Sequence, residues 1–155
     1  YEGGIRVPCV VRWKGRIEAG SVSDRVTGFE DWMPTLMGLA AVEGAPKDID
    51  GVNFAPTLLG EAQPEREFLY REFPSYNGQQ CIRVGDWKAV RQKLKPRGGA
   101  PPVVKTELYN LKVDLAETRD VASENPEVVA RLEKLMNEHR TPSEEFPFPV
   151  LDGEG

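Results

Sequence analysis

Short apolar runs alternate along this chain with long polar connections, and no run approaches the ~20 residues that a membrane span needs. Residues 5 to 13 are rich in β-branched and aromatic types and predict a strand, with Pro8 confining its start to an edge or bulge. Asp31 is placed to cap a helix that carries Pro34 at its third position and Met33, Leu36, Met37 and Ala40 at helical spacing. Asn53 caps a one- or two-turn helix through Leu58 and Leu59, closed by Gly60 at the C′ position. A strand is predicted over 67–73, followed by a polar loop from Pro74 to Gln80. The runs 81–84 and 87–92 flank Gly85-Asp86, a glycine-first pair that fits a type II′ hairpin turn. Residues 106 to 111 alternate as a strand. Asn125 and Pro126 open a helix whose buried face is Val129, Leu132, Leu135 and Met136. Residues 141 to 155 have no packing period and read as an extended or mobile tail unless Phe146 and Phe148 dock on a neighbour.

The predicted order is therefore strand, helix, short helix, strand, hairpin, strand, long helix, an α+β pattern. The second half alone makes a small antiparallel sheet packed on its terminal helix. The first half has too few elements to cover its own apolar positions, so Val10, Val11, Trp13 and Met33 are expected to pack on chain outside this sequence. Its 155 residues suffice for one domain or a large subdomain with a real core, and 15 glycines and 13 prolines predict many turns. Transmembrane, collagen-like, coiled-coil and wholly disordered classes are excluded.

A net charge of −5 speaks against a nucleic-acid binder. The sign is uneven, however. Arg83, Lys88, Arg91, Lys93, Lys95 and Arg97 are opposed between residues 83 and 97 only by Asp86. This run reads either as a solvated strand and loop or as a landing strip for a sulfated or phosphorylated polyanion. Cys9 and Cys81 make no framework and read as free, buried thiols, whose pairing sequence alone leaves open. The chain starts at Tyr1 with no leader pattern, the expectation being a piece of something longer.

Little chemistry is visible. The one histidine, His139, falls at the end of the last predicted helix, where it faces the helix dipole. A two-histidine metal motif is thereby absent, and no serine is placed for a triad. Gly3-Gly4 and Gly98-Gly99 lack the spacing of phosphate-binding loops. No catalytic and no metal-ligating residue is identified.

An ordered series of short motifs carries a resemblance. Tyr1-Glu2-Gly3-Gly4-Ile5-Arg6-Val7-Pro8, Trp13-Lys14-Gly15, Asp31-Trp32-Met33-Pro34-Thr35-Leu36, Asp50-Gly51 and Leu58-Leu59-Gly60 open the series. Arg83-Val84-Gly85-Asp86-Trp87-Lys88, Glu107-Leu108-Tyr109-Asn110-Leu111 and Asn125-Pro126-Glu127-Val128-Val129 complete it. In this order they resemble the C-terminal portion of a type I, formylglycine-dependent sulfatase, of the arylsulfatase family in the alkaline phosphatase superfamily. The resemblance covers nearly all of the chain before the tail.

The resemblance implies an alkaline-phosphatase-like α/β parent that hydrolyses sulfate esters. Residues 1–60 would end its catalytic domain, 61–140 would form a C-terminal antiparallel-sheet-plus-helix subdomain, and 141–155 the tail. The C/S-x-P-S-R motif that yields formylglycine is absent, since Cys9 and Cys81 are followed by other residues. Nucleophile and calcium ligands would lie upstream, so this chain would bind no cofactor and be inactive alone. Glu2 would lie near the pocket floor, and Arg6 would anchor a buried carboxylate. In the loop, Tyr76, Asn77, Gln79 and Gln80 are substrate-pocket candidates, able to stack on or hydrogen-bond to a sugar. Pro74 stands where some relatives carry a histidine, and Leu115 where proline is common after the aspartate. The implied partners are the N-terminal catalytic domain and a sulfated small molecule or glycan, with no nucleic acid and no membrane span, in a secreted, periplasmic or lysosomal location. A phosphatase or phosphodiesterase of the same superfamily, and a free-standing polyanion-binding module, are the alternative readings.

Overall fold

A computed structural model describes residues 1–44, 46–95, 98, 100–102 and 104–153. In chain order its helices are α1 (Glu2–Ile5), α2 (Trp32–Leu39), α3 (Ala55–Leu58), α4 (Pro126–Glu138) and α5 (Pro149–Asp152), and its strands are β1 (Leu69–Phe73), β2 (Gln79–Val84), β3 (Trp87–Gln92) and β4 (Thr106–Asn110). Two compact units form: Tyr1–Arg6 with Glu67–Gly155, and Val7–Arg66. These units divide at 6/7 and 66/67, and the tail groups with the sheet. No helix among the described residues is long and apolar enough to cross a membrane.

The first unit is built on a four-stranded antiparallel sheet in the order β1-β2-β3-β4. Only two residues separate β2 from β3, and Val84 pairs with Trp87 across them. Gly85 has φ +56 whereas Asp86 does not enter positive φ, the pattern of a type II′ turn. Strand alternation then sorts the two faces. Ile82, Ala89 and Leu108 lie opposite one another and bury completely against Leu132 and Met136 of α4, with Tyr70, Trp87, Val129 and Leu135 packed around them. Pro126 occupies the first turn of α4 as predicted, but Asn125 donates through Nδ2 to the Val121 carbonyl instead of capping with its side-chain oxygen. On the opposite face Val90, Tyr109 and Leu111 form a second cluster with Cys81.

The tail does not run free. Phe148 is fully buried, α5 follows it, and Arg140 pairs with both Glu72 and Asp152. The condition set on the sequence is met by Phe148 alone, since Phe146 stays half-exposed.

In the second unit the expected strand over residues 5–13 does not form. Ile5 belongs to α1, and residues 6 to 13 pair with no strand among the described residues. β-Branched side chains favour a strand only where a neighbour supplies the ladder. Val10 is 93% exposed, and Trp13 and Met33 are also open to solvent. Arg6 is exposed too, and anchoring of a buried carboxylate falls instead to Arg66. Asp31 is at the N-cap of α2, yet its carboxylate ties three segments together. It accepts from the Gly28 and Val52 amides (2.7 Å each) and from Arg66 Nη1 (2.7 and 2.6 Å). Thr35 Oγ1 donates to the Asp31 carbonyl and accepts from the Phe54 amide, fixing α2 to the start of α3. Gly60 closes α3 at φ +76, as expected.

Candidate functional site

The β1–β2 connection and the exit of β3 meet at one end of the sheet. Gln79 pairs with Gln92, which brings the loop before Gln79 beside the residues after Gln92. The Lys95 amide donates to the Asn77 carbonyl (2.7 Å), and the Leu94 amide to that of Gly78 (3.2 Å). Tyr76, Asn77 and Gly78 are consecutive left-handed residues (φ +50, +70 and +76), and Lys93 is a fourth (φ +60). Asparagine and glycine adopt this region readily; tyrosine and lysine do so at a cost of about 1–3 kcal/mol each. Gly78 is required for a second reason. A Cβ there would lie 2.6 Å from Cε1 of Phe148 and 2.9 Å from the Lys95 nitrogen. On this crest Phe73 and Tyr76 stack with ring centroids 5.9 Å apart and planes 24° apart, and they are 49% and 74% exposed. The side chains of Lys93 and Lys95 are exposed as well.

A buried polar row supports the crest. Gln80 donates to the Tyr70 hydroxyl (2.8 Å) and accepts from Arg91 Nη1 (3.1 Å). Arg91 also donates to Thr106 Oγ1 and to Glu133, both at 3.0 Å. Burial, and then the hydrogen bond to Glu72, push the Tyr70 phenol well above its usual range, so it remains a donor at any ordinary pH. Gln80 therefore braces the strands from inside and presents no amide to a ligand. Gln79 is half-buried within β2.

A second charged cluster lies on the other sheet face. Lys88 is 1% exposed, and its Nζ sits 2.9 Å from Glu2 and 2.8 Å from Glu117. Arg83 Nη1 is 3.8 Å from the other Glu2 oxygen, and the Glu2 amide donates to Glu117. Burial alone would lower the Lys88 ammonium, but its bonds to Glu117 and Glu2 outweigh this and hold its pKa above the ordinary lysine value. Glu2 is accordingly an internal ion-pair partner that fastens α1 to β3. Glu117, which the sequence pattern does not single out, is held at φ +53 with a buried side chain. Asp114 stabilises that turn by accepting from the Thr118 and Arg119 amides, which lower its own pKa.

The basic run is thus not one cationic face. Lys88 and Arg91 are buried and paired, and Arg83 bonds the Gly85 carbonyl. Lys93 and Lys95 project from the crest, and Arg97 lies outside the described residues. Cys9 is exposed rather than buried, Cys81 is half-buried, and neither is paired. His139 ends α4 with its ring 4.3 Å from Phe68. Among the described residues no three His, Cys, Asp or Glu side chains come together as a metal site.

Comparison with known proteins places this architecture. The family model for the N-sulphoglucosamine sulphohydrolase C-terminal domain matches residues 1–142. Arylsulfatase H of Canis lupus familiaris is 31% identical over 90% of this chain and 30% of its own length. Human arylsulfatase A is 30% identical over 87% of this chain and 30% of its own length. An N-acetylgalactosamine-6-O-sulfatase of Bacteroides thetaiotaomicron is 27% identical over 91% and 28%. A solved structure of a protein in complex with its substrate, D-glucosamine-2-N,6-O-disulfate, superposes with a TM-score of 0.67 at 25% identity, covering 82% of this chain and 26% of that one. The chain spans less than a third of the length of each of these relatives. With the matched stretch taking in the whole sheet and α4, the chain belongs to the N-sulphoglucosamine sulphohydrolase C-terminal family and is a C-terminal portion of a sulfatase.

Proposed function

We propose that this chain completes a sulfuric ester hydrolase, supplying its C-terminal sheet-and-helix unit and, through the 73–78 crest, part of the wall of its substrate pocket. The observation that carries the proposal is the match of residues 1–142 to the sulfatase C-terminal family, combined with a crest held rigidly in strained backbone. Residues 7 to 66 would finish the catalytic α/β domain, whose remainder would cover Val10, Trp13 and Met33. The substrate would be a sulfated small molecule or glycan, and the resemblance favours a secreted, periplasmic or lysosomal location. Calcium, held by residues outside this chain, would stabilise charge on the sulfuryl group in transfer. The residues present here bind and orient: Lys88 fastens α1, and the row from Gln80 to Glu133 stiffens the strands below the crest.

The test is sulfate release by the full-length protein from 4-nitrophenyl sulfate and from D-glucosamine-2-N,6-O-disulfate, followed by ion chromatography. Release from either, and none from the 155-residue chain alone, is the expected result. Preference for 4-nitrophenyl phosphate would overturn the sulfatase reading in favour of a phosphatase of the same superfamily.

A further inference from the structure

Phe148 is fully buried, although it lies past residues 1–142, the stretch matched to the sulfatase C-terminal family. Its ring stands against Gly78, where a Cβ would come within 2.6 Å of Cε1. We propose that residues 143–153 are a strap that sets the conformation of the β1–β2 loop from behind, with Phe148 and Asp152 as its positioning residues. This rests on the reading above that the loop walls the substrate pocket, and adds to it the residues that hold that wall in place.

Three observations converge. First, the strap is closed on itself and anchored at its root. Asp152 accepts from the Phe148 amide (2.9 Å), and the Leu151 and Asp152 amides donate to the Phe148 carbonyl (2.8 and 2.9 Å). Arg140, whose side chain is 7% exposed, donates through Nη1 to Asp152 and through Nε to Glu72 (2.7 Å). One guanidinium thus joins the tail to β1, the strand that leads into the loop. Hydrogen bonds between ionised partners are roughly twice as strong as neutral ones. Second, the loop needs support on this side. Tyr76 and Asn77 are left-handed at φ +50 and +70, a conformation that persists only where the surroundings over-determine it. The Leu94 and Lys95 amides hold one edge through the Gly78 and Asn77 carbonyls, and Phe148 fills the space where a side chain at 78 would stand. Third, Phe148 is the one buried residue among the described residues of the tail, from 141 to 153. The packing that the tail contributes is therefore concentrated beside the loop.

The test is made in the full-length protein. Phe148→Ala should accelerate hydrogen–deuterium exchange by about tenfold in peptides covering 74–80 and 92–95, and leave α4 peptides unchanged. Asp152→Asn loosens the strap without opening a cavity. It should act in the same direction to a lesser degree, and it decides the matter if Phe148→Ala does not fold. KM for D-glucosamine-2-N,6-O-disulfate should rise by about fivefold in Phe148→Ala at unchanged kcat, because a loosened wall weakens binding of substrate and transition state alike. Phe148→Leu, which refills most of the space, should recover most of both effects. Leu132→Ala weakens the same unit from the α4 side and should leave that KM unchanged, which separates positioning from a general loss of stability. Unchanged exchange in both loop peptides, or equal acceleration in α4, overturns the strap. A faster-exchanging loop with an unaltered KM overturns its positioning role. If the wild-type protein releases no sulfate from this sugar or from 4-nitrophenyl sulfate, the sulfatase reading fails separately, and exchange still decides whether the strap holds the loop.

Discussion

Replacing Lys88 with methionine removes one charge and leaves two. Lys88 is the common partner of Glu2 and Glu117, and all three side chains are at least nine-tenths buried. Methionine fills nearly the same volume, so the loss is electrostatic rather than a cavity. Breaking a buried ion pair from one side costs about 3–5 kcal/mol. Arg83, 3.8 Å from Glu2, still offsets part of the charge on that carboxylate, which points to the lower half of the range. Against a total stability of roughly 5–15 kcal/mol this is a large fraction. Urea unfolding followed by far-UV circular dichroism gives the magnitude, and amide exchange in β3 and β4 localises it. In a Glu2→Gln/Glu117→Gln background the same K88M substitution should cost far less, since no carboxylate is then stranded. The Lys88 pKa is raised on folding, so its stabilisation is complete below the unfolded lysine value of about 10.4 and is lost as pH rises through the folded value. The gap between wild type and K88M should therefore narrow only in strong alkali. A loss under about 1 kcal/mol, or an equal loss in the double-glutamine background, would refute the ion-pair account.

Other regions give equally direct tests. Gly78→Ala should destabilise the chain by about 1–3 kcal/mol in urea, because the residue sits at φ +76 and the new methyl meets Phe148 and Lys95. Leu132→Ala, at a fully buried position, should cost about 2–5 kcal/mol, whereas Val113→Ala on the surface should shift the midpoint negligibly. Asp31→Ala should speed amide exchange at Gly28 and Val52, the two donors its carboxylate holds; unchanged protection there would contradict its role as a hub. Stability should hold as the pH is lowered to about 4 and then fall. Asp120 resists its own desolvation through the Leu108 and Ala122 amides and Lys105, and Glu133 does so through Thr106 and Arg91. Both pKa values are depressed on folding, so their contribution is present above the unfolded value and disappears as pH drops through the folded one. An Asp120→Asn variant should flatten that acid limb in a pH-resolved melt.

The elements legible in sequence are those whose determinants are local. Gly85-Asp86 between two alternating runs specifies the β2–β3 hairpin within a dozen residues, and Asn125-Pro126 followed by Leu132 and Met136 specifies α4 and its buried face. Residues 5–13 misled because strand propensity says nothing about whether a partner strand is present. Lys88 looked like one member of a solvated basic run, and only carboxylates 86 positions before it and 29 after it bury its charge. Gln80 looked like a loop amide, yet strand alternation turns it inward beneath Tyr70 and beside Arg91. Tyr76 and Asn77 were singled out separately from Lys93 and Lys95. The register that pairs Gln79 with Gln92 joins the two groups, and register is a property of the assembled sheet.

The bonds that hold residues 1 and 2 to the sheet also impose an order on synthesis. The Glu2 amide meets a carboxylate 115 residues further along the chain. At a ribosomal rate of about 5–20 residues per second, α1 must wait roughly 6–23 s for Glu117 to be made. For most of that interval Glu2 also lacks Lys88, 86 residues further along, and Tyr1 lacks Gln92, 91 residues further along. Residues 7–66, by contrast, complete the Asp31–Arg66 linkage 35 residues after it begins. The segment nearest the start of this chain is therefore among the last to settle, docking only once the sheet that receives it has been translated.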